Sequence, residues 1–175
     1  MAADTFTLPN YAEPALYSRS NLAPITRTVK FALAGLTGAA GSVADPIETG
    51  DVFKIFKLPP DVKILSGALQ VGDLDSAASL TLSLVVTNGT TTKYIFNAST
   101  IGQAGGSVTS RDAAANGFIH AFSANAAIGW VVDNDNYYLA LNGTAGAAGA
   151  GADDDIYVEI QYTSALESNE ATFRT

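Results

Sequence analysis

Residues 80–97, LTLSLVVTNGTTTKYIFN, contain the pattern on which the fold turns. Leu80, Leu82, Leu84 and Val86 alternate with Thr81 and Ser83, a period of two that places one side of an extended chain in a core and the other toward solvent. Asn88-Gly89 follows, a pair suited to the positive φ of a tight hairpin. KYIFN, residues 93–97, then resumes a strand-like run. The spacing predicts that 80–86 and 93–97 pair antiparallel.

The same alternation extends to both sides. In TRTVKFALA (26–34), Val29, Phe31 and Leu33 form the inward set against Thr28, Lys30 and Ala32. In DIYVEIQYT (155–163), Ile156, Val158, Ile160 and Tyr162 oppose Tyr157, Glu159 and Gln161, which suits a closing strand. Further strand-like runs lie at 52–58, 63–71, 117–122, 128–132 and 136–141, for about nine strands in all. The prolines of LPPD (58–61) cannot donate to a ladder and mark a strand end. Short antiparallel strands with turns at this spacing predict an all-β chain: a single antiparallel β-sandwich, jelly-roll-like, over residues 26–163.

Two regions fall outside this pattern. Residues 1–25 carry Pro9, Pro14 and Pro24 with Phe6, Leu8, Tyr11, Leu16 and Tyr17 in no regular period. A disordered tail is poor in such side chains. We therefore read 1–25 as an extended N-terminal arm that lies along its own domain or a neighbouring subunit, with Leu8, Tyr11, Leu16 and Tyr17 as candidate interface residues. Residues 164–175 form a C-terminal tail. NGTAGAAGAGADDD (142–155) reads as a flexible loop between strands.

Composition narrows the chemistry. A chain of 175 residues suffices for one domain with its own core. Cysteine is absent, which removes disulfides, thiolate metal sites and cysteine nucleophiles. The net charge is −8, unsuited to broad contact with a phosphate backbone. Residues 1–93 hold seven Lys/Arg against eight Asp/Glu, and residues 94–175 hold two against nine. The N-terminal stretch has no basic start and no uninterrupted apolar run, so neither a signal peptide nor a membrane span is expected.

No catalytic set is evident. The glycine-rich STIGQAGGS (99–107) lacks a GKS/T ending, has no GxGxxG, and precedes no helical pattern, so it reads as a corner and not as a phosphate cradle. Its anchors are Tyr94, Phe96 and Ile101, with Gly102, Gly105 and Gly106 freeing the backbone. His120 is the single histidine and lies in step with Phe118 and Phe122, as expected of a core-edge or contact residue. Asp73/Asp75, Asp133/Asp135 and Asp153–Asp155 offer oxygens that calcium could use, yet Asp is also a common turn residue. Trp130 with Tyr137 and Tyr138 could stack a sugar, although a lone Trp among aliphatics is more often core. No enzyme activity, cofactor or metal is expected.

The run TGDVFKIFKLPPDVKILSGALQVGDLDSAASLTLSLVV (49–86), with YIFNASTIGQAGG (94–106), resembles the head decoration proteins of tailed bacteriophages, a family of capsid cement or auxiliary structural proteins. The shared features are the turn at Gly50, Asp51, Val52, Leu58 and Pro59, the LQVGDLD strand from Leu69 to Asp75, and the corner from Ser99 to Gly106. The resemblance spans about residues 48–163. Where many members lead to a VGD turn, this chain reads LSLVVTNGT. The resemblance implies a virion protein on the capsid exterior, made in the host cytoplasm. Its partners would be the major capsid protein and itself, as a homotrimer, with no nucleic acid and no membrane. A carbohydrate-binding jelly-roll adhesin using Trp130 and the Asp-rich loops is the alternative.

Overall fold

The alternation at 80–97 becomes the hairpin it predicts. In the computed structural model, which describes residues 3–9, 11, 24–39, 41, 43–110, 125–133 and 136–164, strands β5 (Thr81–Thr87) and β6 (Thr92–Ser99) pair antiparallel. The connecting turn is longer than Asn88-Gly89 alone. Gly89 takes φ +91°, and Asn88 Oδ1 accepts the N–H groups of Thr90 and Thr91 at 2.9 and 2.7 Å. An Asn side chain thus supplies the acceptor that a shorter backbone turn would have supplied.

The other strands are β1 (Thr5–Thr7), β2 (Ile25–Ala32), β3 (Val52–Lys57), β4 (Val62–Val71), β7 (Gly106–Thr109), β8 (Tyr138–Ala145) and β9 (Asp155–Ser164). A five-stranded sheet of order β1-β3-β8-β5-β6 lies over a four-stranded sheet of order β2-β9-β4-β7. From β2 onward the pairing has a simple rule. β5 pairs with β6, β4 with β7, β3 with β8 and β2 with β9, all antiparallel. Strands equally far from the 88–91 turn are partners, so the chain is one ribbon doubled at that turn. Wrapping the ribbon sets β4 beside β9 and β5 beside β8, which yields a jelly roll.

Apolar faces explain the wrap. Leu82, Leu84 and Val86 of β5, Leu139 and Leu141 of β8, and Ile156, Val158, Ile160 and Tyr162 of β9 are fully buried in one core. Two bulges keep that face consistent. In β4 the register shifts between Ile64 and Ser66, so Val62 and Ile64 point inward before it and Leu69 and Val71 after it. Without the extra residue, the second half of the strand would present its polar side to the core. In β3 the shift between Lys54 and Phe56 lets both Ile55 and Phe56 be buried. Gly67 stands where a Cβ would lie 2.9 Å from Ile95 Cγ2 of the facing sheet, so a side chain there would force the sheets apart.

Part of the arm joins a sheet, and one expected strand is not formed. Residues 5–7, expected within an arm, pair parallel with β3 as an edge strand, and Phe6 stacks on Phe53 with ring centroids 4.9 Å apart. Residues 128–132 are not a regular strand. They belong to a turning segment that bridges the two sheets, with Ala127 N donating to Tyr94 O and Gly129 N to Ile64 O, both at 2.8 Å. The run at 117–122, with His120, lies outside the described residues.

Candidate interaction surface

The glycine-rich stretch is a corner that carries the chain from one sheet to the other. After β6, a single 3-10 turn (Ile101–Gln103) leads into β7. Gly102 O accepts from Leu74 N at 2.9 Å, and Gln103 Nε2 donates to Leu80 O at 2.8 Å, which fastens the corner to the 72–80 loop. Gly105 and Gly106 adopt φ of +71° and +140°, conformations that glycine enters freely. Gly102 serves close packing instead: a Cβ there would come within 2.7 Å of Leu80. Ile101 packs against the core. Within the corner, Gln103 N donates to Thr100 O at 3.0 Å and Ile101 N to Ser99 Oγ at 3.4 Å.

Asp75 is likewise a structural residue. Its carboxylate is buried and accepts backbone N–H groups from Ala77, Ser79, Leu80 and Ala148 at 2.7–3.1 Å, together with the Ser79 hydroxyl. Burial alone would push this carboxyl up, but the N–H groups of Leu80, Ser79, Ala77 and Ala148 outweigh it and hold it well below the usual carboxylate range. Asp51 performs a similar task, accepting Asp4 N at 2.9 Å and Glu48 N at 2.8 Å. The Asp153–Asp155 carboxylates lie close together, and they too have local partners. Asp153 accepts Asp155 N, Asp154 accepts Ala34 N, and Asp155 pairs with Lys30 at 2.7 Å.

The aromatic residues form no common platform. Tyr137 is buried, and Trp130 meets it edge-on at 4.9 Å and 68°. Tyr138 faces elsewhere, in T-shaped contact with Tyr11 at 5.8 Å. Among the candidate interface residues, Leu8 is 5% exposed and belongs to the chain's own core. Tyr11 is half-buried, its carbonyl accepting Lys57 N at 3.2 Å and its ring 6.0 Å from Lys54 Nζ. Leu16 and Tyr17 lie outside the described residues.

The geometry unites a set that linear reading leaves apart. At one end of the sandwich run the 58–61 and 88–91 turns and the 127–132 segment, which carry Lys57, Lys63 and Lys93 with Trp130 and Val131. Lys93 lies 6.0 Å from the Trp130 ring, Val131 bridges Lys63, and Val131 is 38% exposed. At the other end run the 33–51, 72–80, 100–105 and 146–154 connections, bearing Asp45, Glu48, Asp73 and Asp153–Asp155. Lys30 is the cation beside them, and its hydrogen bonds to Asp155 and Tyr157 push its pKa above the ordinary lysine value.

Shallow grooves mark the sides. One of about 300 Å³ is lined by Leu8, Val29, Phe31, Leu36 and Ile55 near β2. Another of about 230 Å³ crosses β4 and β9 at Ser66, Ala68, Glu159 and Gln161. No helix among the described residues is long and apolar enough to cross a membrane.

No family model matches the chain, and no curated protein matches it. Solved structures do. A chain of the cyanophage Pam1 capsid asymmetric unit is similar at 25% identity and a TM-score of 0.55, over 86% of this chain and 91% of that one. A chain of the capsid of Ralstonia phage GP4 is similar at 18% identity and a TM-score of 0.50, over 87% of this chain and 97% of that one, a likeness of fold. Both neighbours come from phage capsids, and the likeness to the Pam1 chain supports a structural role in a phage capsid.

Proposed function

We propose that this chain decorates the head of a tailed phage, bound to the outside of the major capsid protein lattice as a homotrimer. It acts by binding, without catalysis or cofactor, and engages neither nucleic acid nor membrane. The observation that carries the reading is the similarity to a Pam1 capsid chain over 86% of this one. A rigid jelly roll with buried apolar faces supports it, because a cement protein has to resist deformation while its surface makes the contacts. Cyclic symmetry would allow identical subunits to close on themselves without forming open chains.

The arm has a narrower role than residues 1–25 as a whole. Phe6 and Leu8 are occupied by their own core, so the grip we propose for the arm falls to Tyr11, Leu16 and Tyr17. Aromatic anchors bury much area at little rotamer cost. The test is to mix purified chain with heads lacking it, sediment the particles, and measure mass in solution. Stoichiometric recovery with heads and a trimeric mass are expected. A Gly/Ser linker in place of residues 12–23 preserves Phe6 and Leu8 and should weaken trimer or head binding. Failure of the unaltered chain to bind heads at all would sink the reading.

A further inference from the structure

We propose that the basic end of the sandwich is the surface that meets the capsid, and that it docks on an acidic protein surface. The inference rests on the capsid reading above and adds orientation and partner chemistry to it. Its basis is the polarity of the molecule. In a chain of net charge −8, Lys57, Lys63 and Lys93 occur together at one end, where Asp61 and Asp133 are the acidic residues described. Each lysine is brought there by register: Lys57 opposes Tyr138 at the close of β3, Lys63 opposes Thr163 at the opening of β4, and Lys93 opposes Val86 beside the hairpin turn.

The two ends also differ in what their charges do. At the acidic end Asp51, Asp75, Asp154 and Asp155 turn their carboxylates to backbone N–H groups and to Lys30. Lys57 and Lys63 are exposed and make no ion pair among the described residues. Trp130 and the exposed Val131 lie between Lys63 and Lys93. An apolar centre with cations around it is the composition of a docking patch with a charged rim. Charge complementarity then selects an acidic partner, and it steers encounter from a distance in a salt-dependent way. Tyr11 lies at the same end, hydrogen-bonded to Lys57, so the arm would reach the same partner.

A second copy of the chain is the competing occupant, since its acidic end would also complement this patch. Such a contact joins opposite poles of the sandwich, is distinct from the side-by-side contact of the proposed trimer and would continue from copy to copy, whereas a shell surface terminates it. The capsid surface is therefore the better fit.

The test compares the full-length chain with a Lys57→Glu/Lys63→Glu/Lys93→Glu variant for binding to heads lacking the protein, at low salt and at about 0.5 M salt, where charges are screened within several ångströms. Reversing three charges at the contact is expected to weaken low-salt binding about thirtyfold. Salt should weaken binding of the unaltered chain and, by screening the repulsion that the three glutamates introduce, should not weaken that of the variant. An Asp153→Asn/Asp154→Asn variant should bind like the original. Unchanged melting of each variant shows that folding is intact. If the original chain binds heads but the triple variant binds equally well, the orientation is wrong while the capsid reading stands. If the original chain binds no heads, the capsid reading itself fails. If the triple variant changes only the mass of the free chain, the patch binds a second copy, which also overturns the proposal.

Discussion

The two ends of the sandwich solve different problems with charge. At the acidic end, long connections leave backbone N–H groups away from strand partners, and buried donors without acceptors are costly. Asp51 and Asp75 supply those acceptors from within. At the basic end the turns are short, their hydrogen bonds are made mostly by the backbone and Asn88, and the lysines remain on the surface. A charge count by sequence half treats all these residues alike. The structure separates carboxylates that hold loops together from Lys57 and Lys63, which stand exposed to solvent.

The strongest way to break the comparison is to remove what both ends share. Leu82 is fully buried in the centre of the larger sheet, and Leu82→Asp places a charge in that core, at an expected cost above about 4 kcal/mol. Loss of cooperative melting together with protease sensitivity throughout the chain is the expected result. A soluble variant with unchanged melting would contradict the assigned strand faces.

Asp75→Ala separates the ends. Four backbone N–H groups lose their acceptor, and even with partial rehydration the cost should be about 3 kcal/mol. Hydrogen exchange should accelerate first in residues 72–80 and 146–154, and the 58–61 turn should retain its protection. Uniform acceleration would show that the carboxylate does not act locally.

Acid sharpens the same point. The folded Asp75 carboxyl has its pKa depressed below the unfolded value, which is about 3.9. Its contribution is therefore fully present above about pH 4 and is lost as pH falls toward the folded pKa. Asp75→Asn should be less stable at neutral pH and should lose less stability between about pH 4 and pH 2 than the original chain. Parallel acid-denaturation curves would show that other carboxylates dominate.

The smallest effect belongs to the basic end. Lys57→Glu and Lys63→Glu should each alter folding stability by no more than about 0.5 kcal/mol, as exposed substitutions do. A markedly lower melting temperature would mean that these lysines support the fold.

The sequence makes the ribbon more legible than the surface. β5 and β9 are readable because their apolar residues recur at intervals of two, and β6 because a short strand-like run follows the Asn88-Gly89 turn. β1 is not: TFT is three residues among prolines, and its burial depends on a parallel partner, β3, far along the chain. Residues 128–132 mislead for the opposite reason, since an apolar run satisfies the strand pattern although its backbone bonds reach the start of β4 and the 58–61 turn, after residues 125–127 have bonded to β6. The bulge in β4 is visible in retrospect as the change of apolar positions from Val62 and Ile64 to Leu69 and Val71. The lysine patch is half legible. Lys57 and Lys63 flank the proline turn and share an end by sequence alone, whereas Lys93 joins them only through the pairing of β8 with both β3 and β5.

The position of β9 has a consequence for biosynthesis. This last described strand lies in the middle of its sheet, between β2 and β4. A nascent chain that has not yet reached residue 155 can close the local β5–β6 hairpin, but β2 and most of β4 still lack their central partner. Such non-local pairing is slow to form because distant parts of the chain must first meet. Completion of the sheet therefore waits for the synthesis of residues 155–164. Chains that stop before β9 expose unpaired edges that proteases can attack, so the fold itself discriminates against them.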